Sequence, residues 1–68
     1  MIIHLREEYI KLGQALKAAH LVDSGVDAKV VITNGEVRVN GEVDLRRGRK
    51  LYKGDIVEYN GETVHVHQ

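Results

Sequence analysis

The residue pattern predicts an α+β fold, with two packed helices against a small, mostly antiparallel β-sheet. Three observations predict it. An apolar stripe at helical spacing occupies the first third of the 68-residue chain, and a Ser-capped stretch ending at a glycine follows. From Gly35 onward the apolar residues alternate around two Asn-Gly turns.

The elements follow in order. Ile2 to Leu5 form a short apolar run, read as an edge strand, and Glu7 and Glu8 then introduce a helix over about residues 9–19. Tyr9, Leu12, Leu16 and Ala19 fall on one apolar stripe, and Lys11, Gln14 and Lys17 lie off it. Gly13 inside this helix costs about 1 kcal/mol against Ala and marks a close packing contact. A second helix is expected over 24–34, capped by Asp23 or Ser24: Ser24 to Asp27 has capping-box spacing, Ala28, Val31 and Ile32 make the buried face, and Gly35 supplies the stop. Strands are expected near 37–39, 56–59 and 63–67, with Val37 and Val39 on one side and Glu36 and Arg38 on the other. Asn40-Gly41 and Asn60-Gly61 suit type I′ hairpin turns, because both residues tolerate positive φ. A polar loop runs from Glu42 to Lys50. Leu51 and Tyr52 are expected to return to the core before a turn at Lys53-Gly54-Asp55.

Composition narrows the function. A chain of this length buries only roughly 60% of its unfolded surface, which leaves little room for a walled catalytic pocket. Phe and Trp are absent, so the core must be built from Val, Ile, Leu and Ala. The lack of cysteine excludes a disulfide framework, thiolate zinc sites and thiol catalysis. The opening Met1 to Arg6 holds too short an apolar run for a signal peptide or membrane span, so a cytoplasmic location is expected.

Net charge is zero, but it is unevenly spread. Residues 27–53 carry seven basic and four acidic side chains, net +3, whereas residues 54–68 carry only Asp55, Glu58 and Glu62, net −3. Half of the ten basic residues lie in Arg46-Arg47-Gly48-Arg49-Lys50-Leu51-Tyr52-Lys53, which contains no acid. Guanidinium forks bind phosphate oxygens bidentately, and Gly48 lets the backbone approach a partner. A solubilising surface loop is the plainer alternative. Like charges packed this densely repel, however, so a partner anion is the expected reason for the cluster.

Other constellations have ordinary explanations. His65 and His67 share a strand face, with His4 on a neighbouring strand, but metal binding needs three or four ligands at fixed geometry. His20 sits near the end of the first helix as a partner for its dipole. Ser24, the only serine, is accounted for as a cap, and no glycine pattern matches a phosphate-cradling loop.

Taken together, Ser24-x3-Ala28-Lys29, a helix ending Asn34-Gly35, Val37-x-Val39-Asn40-Gly41 and Leu51-x2-Gly54-Asp55-x-Val57 resemble the αL RNA-binding domain first defined in ribosomal protein S4. With Leu12-Gly13-Gln14-x-Leu16-Lys17 and Arg46-Arg47-Gly48-Arg49-Lys50-Leu51, the chain is similar to small stand-alone bacterial members of that family, over about residues 8–59. The resemblance implies binding of structured RNA, commonly ribosomal or transfer RNA, through the second helix and the loop after it. It implies contact roles for Lys29, Asn34, Arg46, Arg47, Arg49 and Lys50, with Asn40 shaping the surface. Two departures, Lys11-Leu12-Gly13 in place of Arg-Leu-Asp and Gly25 where a basic residue is common, shift the expected contacts to 46–50.

The expectation is a single RNA-binding domain over 1–68, monomeric and ribosome-associated, without catalysis, cofactor, metal, membrane or small-molecule substrate. Lys11 and Lys17 are expected to lie outside the binding face. The scarcity of aromatics argues against stacking of single-stranded bases. A protein-interaction adaptor, its basic loop docked on an acidic partner, is the alternative. A histidine-based metal catalyst is the third reading.

Overall fold

In the computed structural model, which describes residues 1–68, nine elements follow one another. They are β1 (Ile2–His4), β2 (Ile10–Lys11), α1 (Leu12–Ala18), α2 (Gly25–Thr33), β3 (Val37–Val39), β4 (Glu42–Val43), β5 (Lys50–Leu51), β6 (Ile56–Tyr59) and β7 (Glu62–His67). Five strands make one sheet in the order β1-β7-β6-β3-β4, and β2 and β5 form a separate two-stranded ribbon. Every pairing is antiparallel except β1 with β7, which brings the first and last strands side by side with Ile3 opposite Val66.

Both hairpins turn where Asn-Gly predicts. Asn40 and Gly41 have φ of 53° and 87°, and Asn60 and Gly61 have 51° and 79°, the paired positive values of a type I′ turn. Alternation then sets the buried side: Val37, Val39, Val57, Val64 and Val66 face inward, while Arg38, Glu58, His65 and His67 stay exposed. These valines close on Leu12, Ala15, Leu16 and Ala19 from the first helical segment and on Ala28 and Ile32 of α2, with Leu51 from the ribbon. The core contains no aromatic ring.

The helix ends explain themselves locally. Ser24 Oγ accepts the Asp27 backbone N–H at 3.1 Å, so Ser24 rather than Asp23 is the N-cap. At the far end of α2, Gly35 at φ 77° donates to Ile32 O and Glu36 donates to Val31 O, a Schellman closure. α1 closes in the same way with His20 in the left-handed position, at φ 59°. His20 therefore terminates α1 rather than lying on it.

Two expectations are corrected. The first helix begins at Leu12, not near Tyr9, because Ile10 and Lys11 are extended and pair with Leu51 and Lys50. Tyr52 does not enter the core. Leu51 is fully buried, so the next residue of the extended ribbon points outward, and Tyr52 is 43% exposed.

Candidate nucleic-acid interface

The basic segment 46–50 is tied to the start of α1 by its backbone. Leu12 N–H donates to Arg49 O at 2.8 Å and Gly13 N–H donates to Arg47 O at 3.0 Å, which satisfies two of the helix's first free donors. Arg49 N–H closes a turn onto Arg46 O, with Arg47 and Gly48 at its tip. The contact inferred at Gly13 is real: a Cβ there would lie 2.8 Å from Arg47 Cγ, so only glycine lets the arginine stem cross the helix at this point.

This docking creates a groove lined by Lys11, Gly13, Gln14, Lys17, Gly25, Arg47 and Gly48. It holds three cations and three glycines, with no acidic and no apolar side chain. Lys11 and Lys17 therefore do not lie outside the basic face. Both fall off the apolar stripe, and the solvent side of α1 is the side that the arginine turn meets. Lys11, Gln14 and Lys17 recur every three residues, and that polar stripe was the available signal.

Arg46 and Arg49 are arranged by a residue that the sequence reading passed over. Asp44 is buried, and Arg46 grips it bidentately, Nε to Oδ1 at 3.1 Å and Nη2 to Oδ2 at 2.9 Å. Arg49 Nη1 adds a 2.7 Å bond to Oδ2, and the Arg46 backbone N–H donates to Oδ1 at 2.9 Å. The Arg46 guanidinium, opposed by burial and helped by Arg49, holds the Asp44 carboxyl well below the usual carboxylate range. Part of the repulsion among the clustered cations is thus relieved inside the protein, and the trio carries one net positive charge. The Arg46 side chain is still 71% exposed, with its outer edge open to solvent.

The remaining candidates are dispersed. Lys50 lies opposite Lys11 on the ribbon, its Nζ 4.8 Å from the Tyr9 ring centre. Lys29 and Asn34 belong to α2 and its end and do not line the groove; Asn34 Nδ2 bonds Glu36 instead. Asn40 uses both ends of its side chain internally, donating to Asp55 Oδ1 at 3.0 Å and accepting from Ile56 N–H at 2.9 Å. The imidazoles of His4, His65 and His67 neighbour one another on the open sheet face, with ring centres 6.1 and 6.4 Å apart. No group of three or more His, Asp or Glu side chains is arranged to hold a metal ion. No helix is long and apolar enough to cross a membrane.

A family model for the S4 domain matches residues 3–67, all but the ends of the chain. The chain belongs to the S4 domain family. Among its relatives, RlbA of Bacillus subtilis (strain 168), named a probable ribosome maturation protein, is 52% identical over 59 residues, covering 87% of this chain and 83% of that one. YbcJ of Escherichia coli (strain K12), named a putative RNA-binding protein, is 33% identical over 61 residues, covering 90% and 87% respectively. The solution structure of YbcJ, described as revealing an αL motif involved in RNA binding, superposes with a TM-score of 0.75 at 31% identity, over 98% of this chain and 86% of that one. The 30S ribosomal protein S4e of Thermoplasma acidophilum shares the fold, with a TM-score of 0.71 at 24% identity over 85% of this chain and 31% of its own length. The S4 domain assignment and the αL architecture agree with the resemblance seen in the sequence.

Proposed function

We propose that this S4 domain is a non-catalytic RNA-binding module that grips structured RNA, ribosomal RNA foremost, through the groove between α1, the start of α2 and the arginine turn. One observation carries the reading: Lys11, Lys17 and Arg47 converge on a glycine-floored surface free of acidic residues. Such a surface complements a phosphate backbone. The three glycines let that backbone approach closely, and the cations replace its condensed counterions. A-form RNA is recognised mainly by shape, phosphate and 2′-hydroxyl contacts, which a polar groove without apolar walls supplies. The names carried by RlbA and YbcJ support the same class of partner.

The role of each candidate follows from its placement. Arg47 is the principal contact of the turn. Arg46 and Arg49 present their free edges from the Asp44 clamp, and Lys50 extends the positive field along the ribbon. Asn40 acts as a brace behind the surface. Lys29 and Asn34 contribute least.

The test is a salt titration of binding to a ribosomal stem-loop RNA. Converting Lys11, Lys17 and Arg47 to Ala should flatten the slope of log K against log salt by roughly two to three, at about 0.7–0.9 per phosphate contact. Lys29→Ala should leave the slope within error. If the triple variant binds with unchanged affinity and slope, the groove is not the RNA site.

A further inference from the structure

The two-stranded ribbon beside the groove carries a feature that phosphate binding does not explain. Ile10 pairs with Leu51 and Lys11 with Lys50, so Tyr9 and Tyr52 are cross-strand neighbours and share the outward face with both lysines. The tyrosine ring centres are 6.0 Å apart at a 53° tilt, and the residues are 37% and 43% exposed. Of the three tyrosines in the chain, only Tyr59 packs against the core, half-buried, while Tyr9 and Tyr52 lie outside it. A small domain that builds its interior from aliphatic side chains has thus set two aromatic rings at its surface. Lys11 belongs to the ribbon face and to the groove, and Gln14 borders both the groove and the depression that holds Tyr9. The two surfaces are continuous.

We propose, building on the RNA-binding reading above, that this ribbon face is a site for one unpaired nucleotide adjoining the duplex held in the groove. Its base stacks on the tyrosine pair, and Lys11 and Lys50 take the flanking phosphates. Every base offers a π-face to an aromatic ring, so the site selects an unstacked nucleotide rather than a particular sequence. In the free protein the Lys50 ammonium covers the Tyr9 ring, a weak contact at an exposed position that an arriving base displaces. The preferred target is therefore a stem with a single-stranded end or a bulge, and a blunt duplex binds less tightly.

The experiment compares three RNAs with one stem: blunt, with a one-nucleotide overhang, and with a one-nucleotide bulge, the unpaired position being fluorescent 2-aminopurine. Wild-type protein should bind one of the unpaired forms about fivefold or more tighter than the blunt stem, the lower end of what one stacked base contributes, and should quench its fluorescence. Whether the overhang or the bulge shows the gain identifies the source of the nucleotide. The Tyr9→Leu/Tyr52→Leu variant should bind the blunt stem normally and lose both preference and quenching, whereas Tyr9→Phe/Tyr52→Phe should keep them. Equal wild-type affinity for all three stems, without quenching, overturns the proposal and leaves the groove reading intact. So does a Leu variant that retains the preference, or one that weakens on all three RNAs by the same factor, since the pair would then serve only the ribbon. Melting temperatures accompany each variant; should the Leu form unfold, wild-type preference and quenching still decide. If wild type binds none of the RNAs, the RNA-binding reading itself fails.

Discussion

Four donors converge on the Asp44 carboxylate, three from Arg46 and one from Arg49, and the side chain is buried beneath them. Asp44→Asn keeps the shape but turns an amide N–H₂ toward guanidinium donors, and should cost about 1.5–3 kcal/mol, the range for hydrogen bonds to charged groups. The sign of the pH dependence follows from the depressed folded-state value. The carboxylate contributes stability above its unfolded pKa of 3.8, and that contribution drains away as pH falls further. Denaturant melts should therefore show the wild-type advantage over Asp44→Asn intact at pH 7 and shrinking steadily below about pH 4. An advantage of the same size at pH 3 would show that the clamp is not ionic. Gly13 gives a second residue-scale expectation. Ala at this position gains about 1 kcal/mol of helix propensity, but its Cβ displaces the Arg47 stem that now lies 2.8 Å away. Melting temperature should move by only a few degrees while RNA affinity drops severalfold; unchanged affinity would mean that the Arg47 stem need not cross Gly13.

At the scale of elements, the two Asn-Gly hairpins look equivalent in sequence and differ in what their asparagines hold. Asn40 links its turn to the Tyr52–Asp55 turn, because Asp55 accepts from Asn40 through Oδ1 and from the Tyr52 backbone N–H through Oδ2. Asn60 makes no side-chain hydrogen bond. Both Ala variants pay the left-handed backbone cost of roughly 1 kcal/mol, and Asn40→Ala should lose about 1–2 kcal/mol more for its two bonds. Chemical denaturation of the two variants checks the difference; equal losses would remove the brace role given to Asn40. The turns, the second helix and its Ser24 cap were legible in the sequence because each depends on residues within a few positions. The start of α1 was not. Tyr9, Leu12 and Leu16 fit a helical stripe, yet Ile10 and Lys11 are held extended by pairing with Lys50 and Leu51, some forty residues away in the chain. The groove was hidden for the same reason, since its two walls meet only after Arg47 and Arg49 cap α1.

At the scale of the whole molecule, a net charge of zero conceals a separation that should govern how RNA arrives. The cations of the groove lie on α1, β2 and the arginine turn, whereas Glu36, Glu58 and Glu62 gather near the Asn60-Gly61 turn around a depression that shares no residue with the groove. Arg38 is the only base among them. A molecule charged in this way has little long-range pull as a monopole but orients in the field of a polyanion, groove first. Replacing Glu58 and Glu62 by Gln raises the net charge from zero to +2 without touching a groove residue. Because these glutamates act on the approaching RNA only through the molecule's field and line no part of the groove, association at low salt should quicken by about two- to fivefold, and the gain should vanish near 1 M salt, where the Debye length is about 3 Å. At each salt concentration the variant's dissociation rate should match that of the wild type, since neither glutamate lines the groove. Stopped-flow association and dissociation rates for a stem-loop across a salt series provide the measurement. A change confined to dissociation would place Glu58 or Glu62 against the RNA and move the binding surface away from the arginine turn.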